Sequence, residues 1–307
     1  QIESDKLATF NIPNLKEIIK ESKINFNIQT IKWGDDGSEK QSSSVVASIT
    51  GVIFTMLIYM FIMIYGAMVM QGVMEEKTNR IIEIMISSVK PFDLMMGKII
   101  GIGFVGLTQV FLWAVMTFIL ITGGTFFLGG GMESEILQSS MALNTTPNMT
   151  AIAAQQHGNE WIEMLHTINF TEIGILFIAY FIGGYLLYSS LFAAIGSAVD
   201  GQEDTQQFML PVTLLLVFAL YAGIYSMENP DGSLAFWCSM IPFTSPIVMM
   251  VRVPFEVPLW EILLSIGFLY ISSIGFTWFS AKIYRVGILM YGKKPSIKEM
   301  SKWLRYK

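Results

Sequence analysis

Long intervals without Asp, Glu, Lys or Arg divide the sequence into apolar segments separated by polar links. A helix that crosses a hydrocarbon core of about 30 Å needs about 20 predominantly apolar residues, because its backbone groups can bond only within the segment. Five intervals meet this requirement, so the pattern predicts an all-α polytopic membrane protein. The predicted spans cover residues 45–70, 98–122, 173–198, 207–227 and 260–281.

A sixth charge-free interval, Gly232–Val251, is less regular. Pro242 and Pro246 interrupt it, and each proline removes a helical backbone hydrogen bond. Irregular backbone at membrane depth is tolerated only where protein covers it. This interval is therefore predicted to be a broken, re-entrant segment on the external side rather than a sixth span.

The composition agrees with a chain embedded in lipid. Of the 307 residues, 53% are apolar and 14% are charged, whereas an ordinary soluble domain has roughly 25% charged residues. The mean hydropathy of +0.54 argues against a water-soluble enzyme. The net charge of −5 argues against a nucleic-acid partner.

The distribution of Lys and Arg predicts the orientation, because short cytoplasmic loops retain these residues. Residues 123–172 contain none, whereas the tail at 282–307 contains eight, which makes the tail cytoplasmic. Counting back through a transmembrane domain at 45–281 places residues 1–44 outside, as the end of an extracytoplasmic domain. An odd number of spans with an external start leads us to expect a further span before residue 1.

The link after the first predicted span has helical composition from Glu75 to Ser88. On a helix, Glu76 and Arg80 would form a pair four residues apart, and Arg80 would face Glu83. Apolar residues occupy another face of the same helix. The sequence thus predicts a short amphipathic helix on the cytoplasmic side, and periodicity alone also fits a simple interfacial connector.

Three ordered strings carry a family resemblance. Residues 75–88, with the pattern Glu-Glu-Lys-x-x-Arg-x-x-Glu-x-x-x-Ser-Ser, resemble the segment after the second span of type-2 ABC-transporter permeases, including their sodium-efflux branch. Residues 241–246, Ile-Pro-Phe-Thr-Ser-Pro, resemble the family's external segment before its last span, and residues 284–295 resemble its terminal tail. Family members usually have six spans, whereas this chain shows five.

The resemblance implies the permease subunit of an ATP-driven exporter in the bacterial cytoplasmic membrane, working by alternating access with a second permease copy or homologue. The chain contains no Gly-x-x-x-x-Gly-Lys-Ser/Thr string. We therefore expect ATP and Mg²⁺ to bind a partner ABC ATPase, and this chain to hold no cofactor and to be no enzyme.

Two groups of candidate residues follow from the resemblance. Residues 75–88 would be the coupling helix that docks on the ATPase, and the broken segment would form an external gate. The coupling candidates are Glu75, Glu76, Lys77, Arg80 and Glu83, and the gate candidates are Pro242, Phe243, Thr244, Ser245, Pro246, Met250 and Arg252.

The end of the tail is predicted to be an amphipathic helix that lies on the inner leaflet. Its basic side would face anionic lipid headgroups. The residues expected to contact the leaflet are Lys298, Lys302, Trp303 and Arg305.

Two other functions stay open. One is a polytopic membrane enzyme that uses the external loop at 123–172, where a minimal metal set would be His157, His166, Glu160 and Glu163. The other is a membrane anchor that holds an ATPase without transporting anything. The sequence leaves the cargo open among an ion, a lipid, a peptide and a drug.

Overall fold

A computed structural model describes residues 32–33, 39–40, 44–81, 88–124 and 169–290. The chain divides into two compact units, Gln1–Ser43 and Ser44–Lys307. In the first unit, β1 (Lys32–Trp33) and β2 (Glu39–Lys40) pair in antiparallel fashion.

The second unit is helical in its described part, and five of its helices are long and apolar. Each has the length and composition needed to cross a membrane. These helices confirm the predicted all-α polytopic class and its five spans. They are α1 (Ser44–Thr78), α2 (Pro91–Gly124), α3 (Phe170–Ala198), α4 (Gln202–Glu228) and α7 (Leu259–Gly287).

Glycines allow three of the long helices to approach closely near their C-terminal ends. A Cβ added to Gly196 of α3 would lie 2.6 Å from the carbonyl oxygen of Met70 in α1. A Cβ added to Gly287 of α7 would lie 2.9 Å from the carbonyl oxygen of Ser197 in α3. The C-terminal ends of α1, α3 and α7 therefore meet at one end of the bundle, which we call the Lys77 end.

The other two long helices begin at the Lys77 end and run in the opposite direction. Near the start of α2, Lys98 contacts Glu76 of α1. Near the start of α4, the Thr205 hydroxyl lies 3.2 Å from the Met74 sulfur of α1. The five helices thus alternate in direction along the chain, as successive membrane spans must.

The predicted broken segment forms two short helices, α5 (Ser233–Met240) and α6 (Ser245–Arg252), followed by a 3₁₀ turn at Val253–Phe255. The helix is interrupted at residues 241–244, where Pro242 lies, and Pro246 occupies the first turn of α6. Proline is accepted in a first turn because the backbone N–H there has no partner within the helix. The predicted interruption is confirmed.

The turn between α5 and α6 reaches the middle of the bundle. The Tyr188 hydroxyl of α3 donates a hydrogen bond of 2.6 Å to the carbonyl of Phe243 in this turn. Pro246 packs on Gly184 of α3, and Ile62 of α1 lies beside them. Gly184 and Ile62 are near the midpoints of their helices, so α5 and α6 form a re-entrant hairpin that packs against the middle of α3 and α1.

We expect Gly196→Ala to destabilise the protein and Gly174→Ala to leave its stability unchanged or slightly higher, because alanine favours a helix over glycine. Both glycines are in α3, but a Cβ at 196 would meet the Met70 backbone, whereas a Cβ at 174 has no neighbour within 4 Å. Overpacking of this kind costs about 1–3 kcal/mol. The melting midpoints of the detergent-purified variants measure the difference, and equal midpoints would contradict the close approach of α1 and α3.

Candidate functional site: two buried ion pairs joined by one helix

A buried ion pair lies at the Lys77 end. The Lys77 ammonium is 2.8 Å from an Asp200 carboxylate oxygen and donates a second hydrogen bond, also 2.8 Å, to the Ser197 carbonyl. The Lys77 side chain is 2% exposed and that of Asp200 is 31% exposed. Because an unpaired ammonium is costly to bury, these contacts connect the end of α1 to the end of α3 and to the link before α4.

A second, more exposed ion pair lies beside the first. The Lys98 ammonium is 2.7 Å from a Glu76 carboxylate oxygen, and the two side chains are 14% and 26% exposed. The Lys98 side chain crosses α1 at Gly72, where an added Cβ would lie 3.2 Å from its nitrogen. This pair joins α2 to α1.

The start of the 75–88 segment differs from its prediction. Helix α1 continues without a break to Thr78, so Glu75, Glu76 and Lys77 belong to the first spanning helix rather than to a separate one. Arg80 then adopts a left-handed conformation with φ of 55°. A pair of Glu76 with Arg80 four residues later requires a helix that includes both residues, and α1 ends at Thr78, before Arg80. Glu76 contacts Lys98 instead. Residues 82–87, including Glu83, are outside the described part.

The other end of the bundle holds a network around Arg252, which we call the Arg252 end. The guanidinium is 2.9 Å from a Glu261 carboxylate oxygen at the start of α7. It also donates hydrogen bonds of 2.7 Å to the Pro230 carbonyl and to the Ser239 hydroxyl. Both charged side chains are buried. Arg252 thus fastens the end of α6 to α5, to the turn before α5 and to α7.

Further hydrogen bonds hold the re-entrant hairpin in place. The Ser265 hydroxyl of α7 donates to the Ser239 carbonyl at 2.6 Å. Thr244 donates to the Cys238 carbonyl and so closes the turn between the two short helices. Of the gate candidates, Thr244, Ser245, Pro246, Met250 and Arg252 are buried, whereas Pro242 and Phe243 are half-buried.

Helix α1 contacts both ends. Near the Arg252 end, the Thr55 hydroxyl donates to the Ile247 carbonyl of α6 at 3.0 Å. A Cβ at Gly51 would lie 2.8 Å from the Val251 carbonyl oxygen, so the backbones of α1 and α6 touch there. A single 35-residue helix therefore joins the re-entrant hairpin to the Lys77–Asp200 pair.

The sequence analysis assigned no structural role to Asp200, Glu261 or Lys98. One signal was present for Lys77. If the helical period of the first span is continued past residue 70, Lys77 falls on the same face as Met70 and Val73, which are buried. An acidic partner was therefore required, but its identity depended on which loop folds back to that face.

Several predicted residues lie outside the described part of the chain, and their roles stay predictions. They are Glu83, the external-loop set His157, Glu160, Glu163 and His166, and the tail set Lys298, Lys302, Trp303 and Arg305. Among the described residues, no group of three or more His, Cys, Asp or Glu side chains is placed to hold a metal ion.

We expect Arg252→Met to destabilise the protein strongly. The change leaves Glu261 buried without its cation, and removal of one partner from a buried ion pair costs about 3–5 kcal/mol. Glu256→Gln, which changes an exposed carboxylate in the same region, is the control with little expected effect. Thermal unfolding in detergent measures both variants, and a wild-type midpoint for Arg252→Met would rule out the network as a structural fastening.

Comparison with known proteins agrees with this architecture. A family model described as ABC-2 family transporter protein matches residues 1–282. The chain is 31% identical over 280 residues to the uncharacterized protein YhaP of Bacillus subtilis (strain 168), an alignment that covers 90% of this chain and 59% of that protein.

A second relative, the uncharacterized protein MJ1024 of Methanocaldococcus jannaschii, is 25% identical over 277 residues, which cover 90% of this chain and 58% of that protein. The chain thus spans less than two thirds of the length of these two relatives. No solved structure matches it. The sodium-efflux branch is not distinguished by these matches. Because the family model covers most of the sequence, this chain belongs to the ABC-2 family of transporter proteins.

Proposed function

We propose that the chain is the permease subunit of an ATP-driven exporter in which a partner ATPase acts on the Lys77 end and α1 carries the movement to the re-entrant hairpin. The observation that carries this proposal is the continuity of α1 between Lys77 and the contacts of Thr55 and Gly51 with α6. A rigid helix transmits a displacement along its length, as in the rigid-body motions of other switching proteins.

The charges of the second unit support a cytoplasmic position for the Lys77 end. Lysines and arginines lie there near the end of α1, the start of α2 and the end of α7. Arg252 is the one basic residue among the described residues at the opposite end of this unit. Cytoplasmic loops carry an excess of such residues. With this orientation the C-terminal tail is cytoplasmic, and the re-entrant hairpin enters from the outside as the external gate.

The docking surface for the ATPase would include Glu75 and Arg80, which are exposed at the Lys77 end, and Glu83 beyond them. Glu76 and Lys77 have contacts inside the permease. They would transmit the movement rather than touch the partner. ATP and Mg²⁺ would be held by that partner, and its hydrolysis would drive the alternation between inward-open and outward-open states.

Exposed apolar faces on α1 and α4 would face lipid, a second permease copy or a cargo with apolar surface. On α4, the exposed side chains recur at helical spacing as Leu210, Leu214, Phe218, Tyr221 and Tyr225. On the neighbouring α1, the exposed face is rich in methionine, a flexible side chain that adapts to differently shaped apolar surfaces. Its exposed members are Ile49, Ile53, Met56, Met60, Ile64 and Met68.

We expect Glu75→Arg to reduce the amount of ATPase that co-purifies with the permease several-fold. A misplaced like charge at an interface costs up to several kcal/mol, which weakens association without unfolding the permease. Glu228→Arg is the matched control, because Glu228 is an exposed glutamate at the opposite end of the bundle. The measurement is the ratio of ATPase to permease after mild-detergent purification from the native host.

Two results would contradict the proposal. If no polypeptide with a phosphate-binding loop accompanies the wild-type permease, the chain is not a transporter subunit of this kind. If Glu228→Arg lowers the ratio and Glu75→Arg does not, the ATPase binds the other end of the bundle.

The orientation is tested with two introduced thiols in a Cys238→Ala background. Cys238 is the one cysteine of this sequence, so in this background each variant carries a single thiol within it. We expect a membrane-impermeant maleimide to label Asp231→Cys in intact cells and Val89→Cys only after permeabilisation. Labelling of Val89→Cys in intact cells would reverse the orientation.

A further inference from the structure

We infer that the Lys77–Asp200 ion pair makes the two cytoplasmic links of the permease, the one that follows α1 and the one between α3 and α4, move as one body during transport. This inference rests on the proposed function, and it assigns Lys77 and Asp200 a positioning role that neither the family match nor the relatives' descriptions supply. Neither residue would touch cargo or nucleotide.

The first step is geometric. Lys77 is one residue from the end of α1, and Asp200 lies between the end of α3 and the start of α4. The single ammonium contacts both the Asp200 carboxylate and the Ser197 carbonyl at 2.8 Å. The Lys77 side chain therefore connects the start of the 75–88 segment to the last turn of α3 and to the link that precedes α4.

The second step concerns the cost of separation. The Lys77 side chain is 2% exposed, and Met70 and Val73 on the same face of α1 are also buried. If the α3–α4 link moved away, the buried ammonium would lose its contact with the Asp200 carboxylate. Breaking a buried pair in this way is strongly unfavourable, whereas moving both segments together preserves it.

The third step is the contrast with the neighbouring pair. The two lysines differ in exposure, because the Lys98 side chain is 14% exposed and that of Lys77 is 2% exposed. Water therefore reaches the Lys98 ammonium more easily when the helices separate. Close backbone contacts also favour α1 with α3, because Gly196 lies directly on the Met70 carbonyl. Helices α1 and α3 and the start of α4 would thus form the moving body.

The test uses the permease with its co-purifying ATPase, reconstituted in liposomes, with a reporter thiol at Ile241→Cys in the Cys238→Ala background. Ile241 lies in the exposed part of the hairpin turn, at the middle of the bundle. We expect MgATP to change the rate of maleimide labelling of this thiol by about 5-fold or more, the lower end of typical coupling between distant sites.

In Lys77→Met we expect the labelling rate to be the same with and without MgATP, while ATPase co-purification and basal ATP hydrolysis persist. Lys77→Arg, which keeps the charge, should retain most of the response. The exchange Lys77→Asp with Asp200→Lys should recover part of it, which a purely steric role would not allow. Lys282→Met is the matched control, because Lys282 is also near the Lys77 end but packs over the Trp278 ring.

An undiminished ATP response in Lys77→Met would overturn the inference. Asp200→Ala provides the decision if Lys77→Met does not fold, because Asp200 is partly exposed, and an undiminished response there has the same meaning. Failure of the proposed function looks different: the wild-type reporter itself would then show no effect of MgATP.

Discussion

Inside a lipid-embedded protein, a charge or a backbone amide must find its partner within the protein, because no water is present to replace it. This constraint accounts for the main features of the structure. Lys77 and Arg252 are almost completely buried, and each is paired with a carboxylate and with backbone or hydroxyl oxygens from other elements. The irregular turn of the hairpin is held by α3 and α7, which both contact Phe243.

The Lys77–Asp200 and Arg252–Glu261 pairs lie at opposite ends of the same bundle, and α1 is the element common to both regions. At the Lys77 end it is connected by charge to α3 and by a more exposed pair to α2. At the Arg252 end it contacts α6 through the Thr55 hydroxyl and the Gly51 backbone. A movement applied to one end of α1 therefore reaches the other without any intervening loop, which is the physical basis of the proposed coupling.

The hairpin gains its fixed position from polar contacts rather than from length. Helices α5 and α6 have eight residues each, too short to cross a membrane or to be stable alone. Arg252 connects the end of α6 to the turn before α5 and to α7, and Tyr188 and Ser265 hold the backbone of the hairpin from two neighbouring helices. A gate built in this way would open by exchanging a few defined hydrogen bonds.

The five spans, the interruption at Pro242 and Pro246 and the membrane class could all be predicted from the sequence, because hydrophobic length and proline chemistry are local properties. The sequence did not determine which charges face the protein interior. Lys77 was predicted for a docking surface and Glu76 for a pair with Arg80, yet the structure places them against Asp200 and Lys98. Those partners are distant in sequence, and only the packing of α1 against α2, α3 and the α3–α4 link brings them within 3 Å of each other.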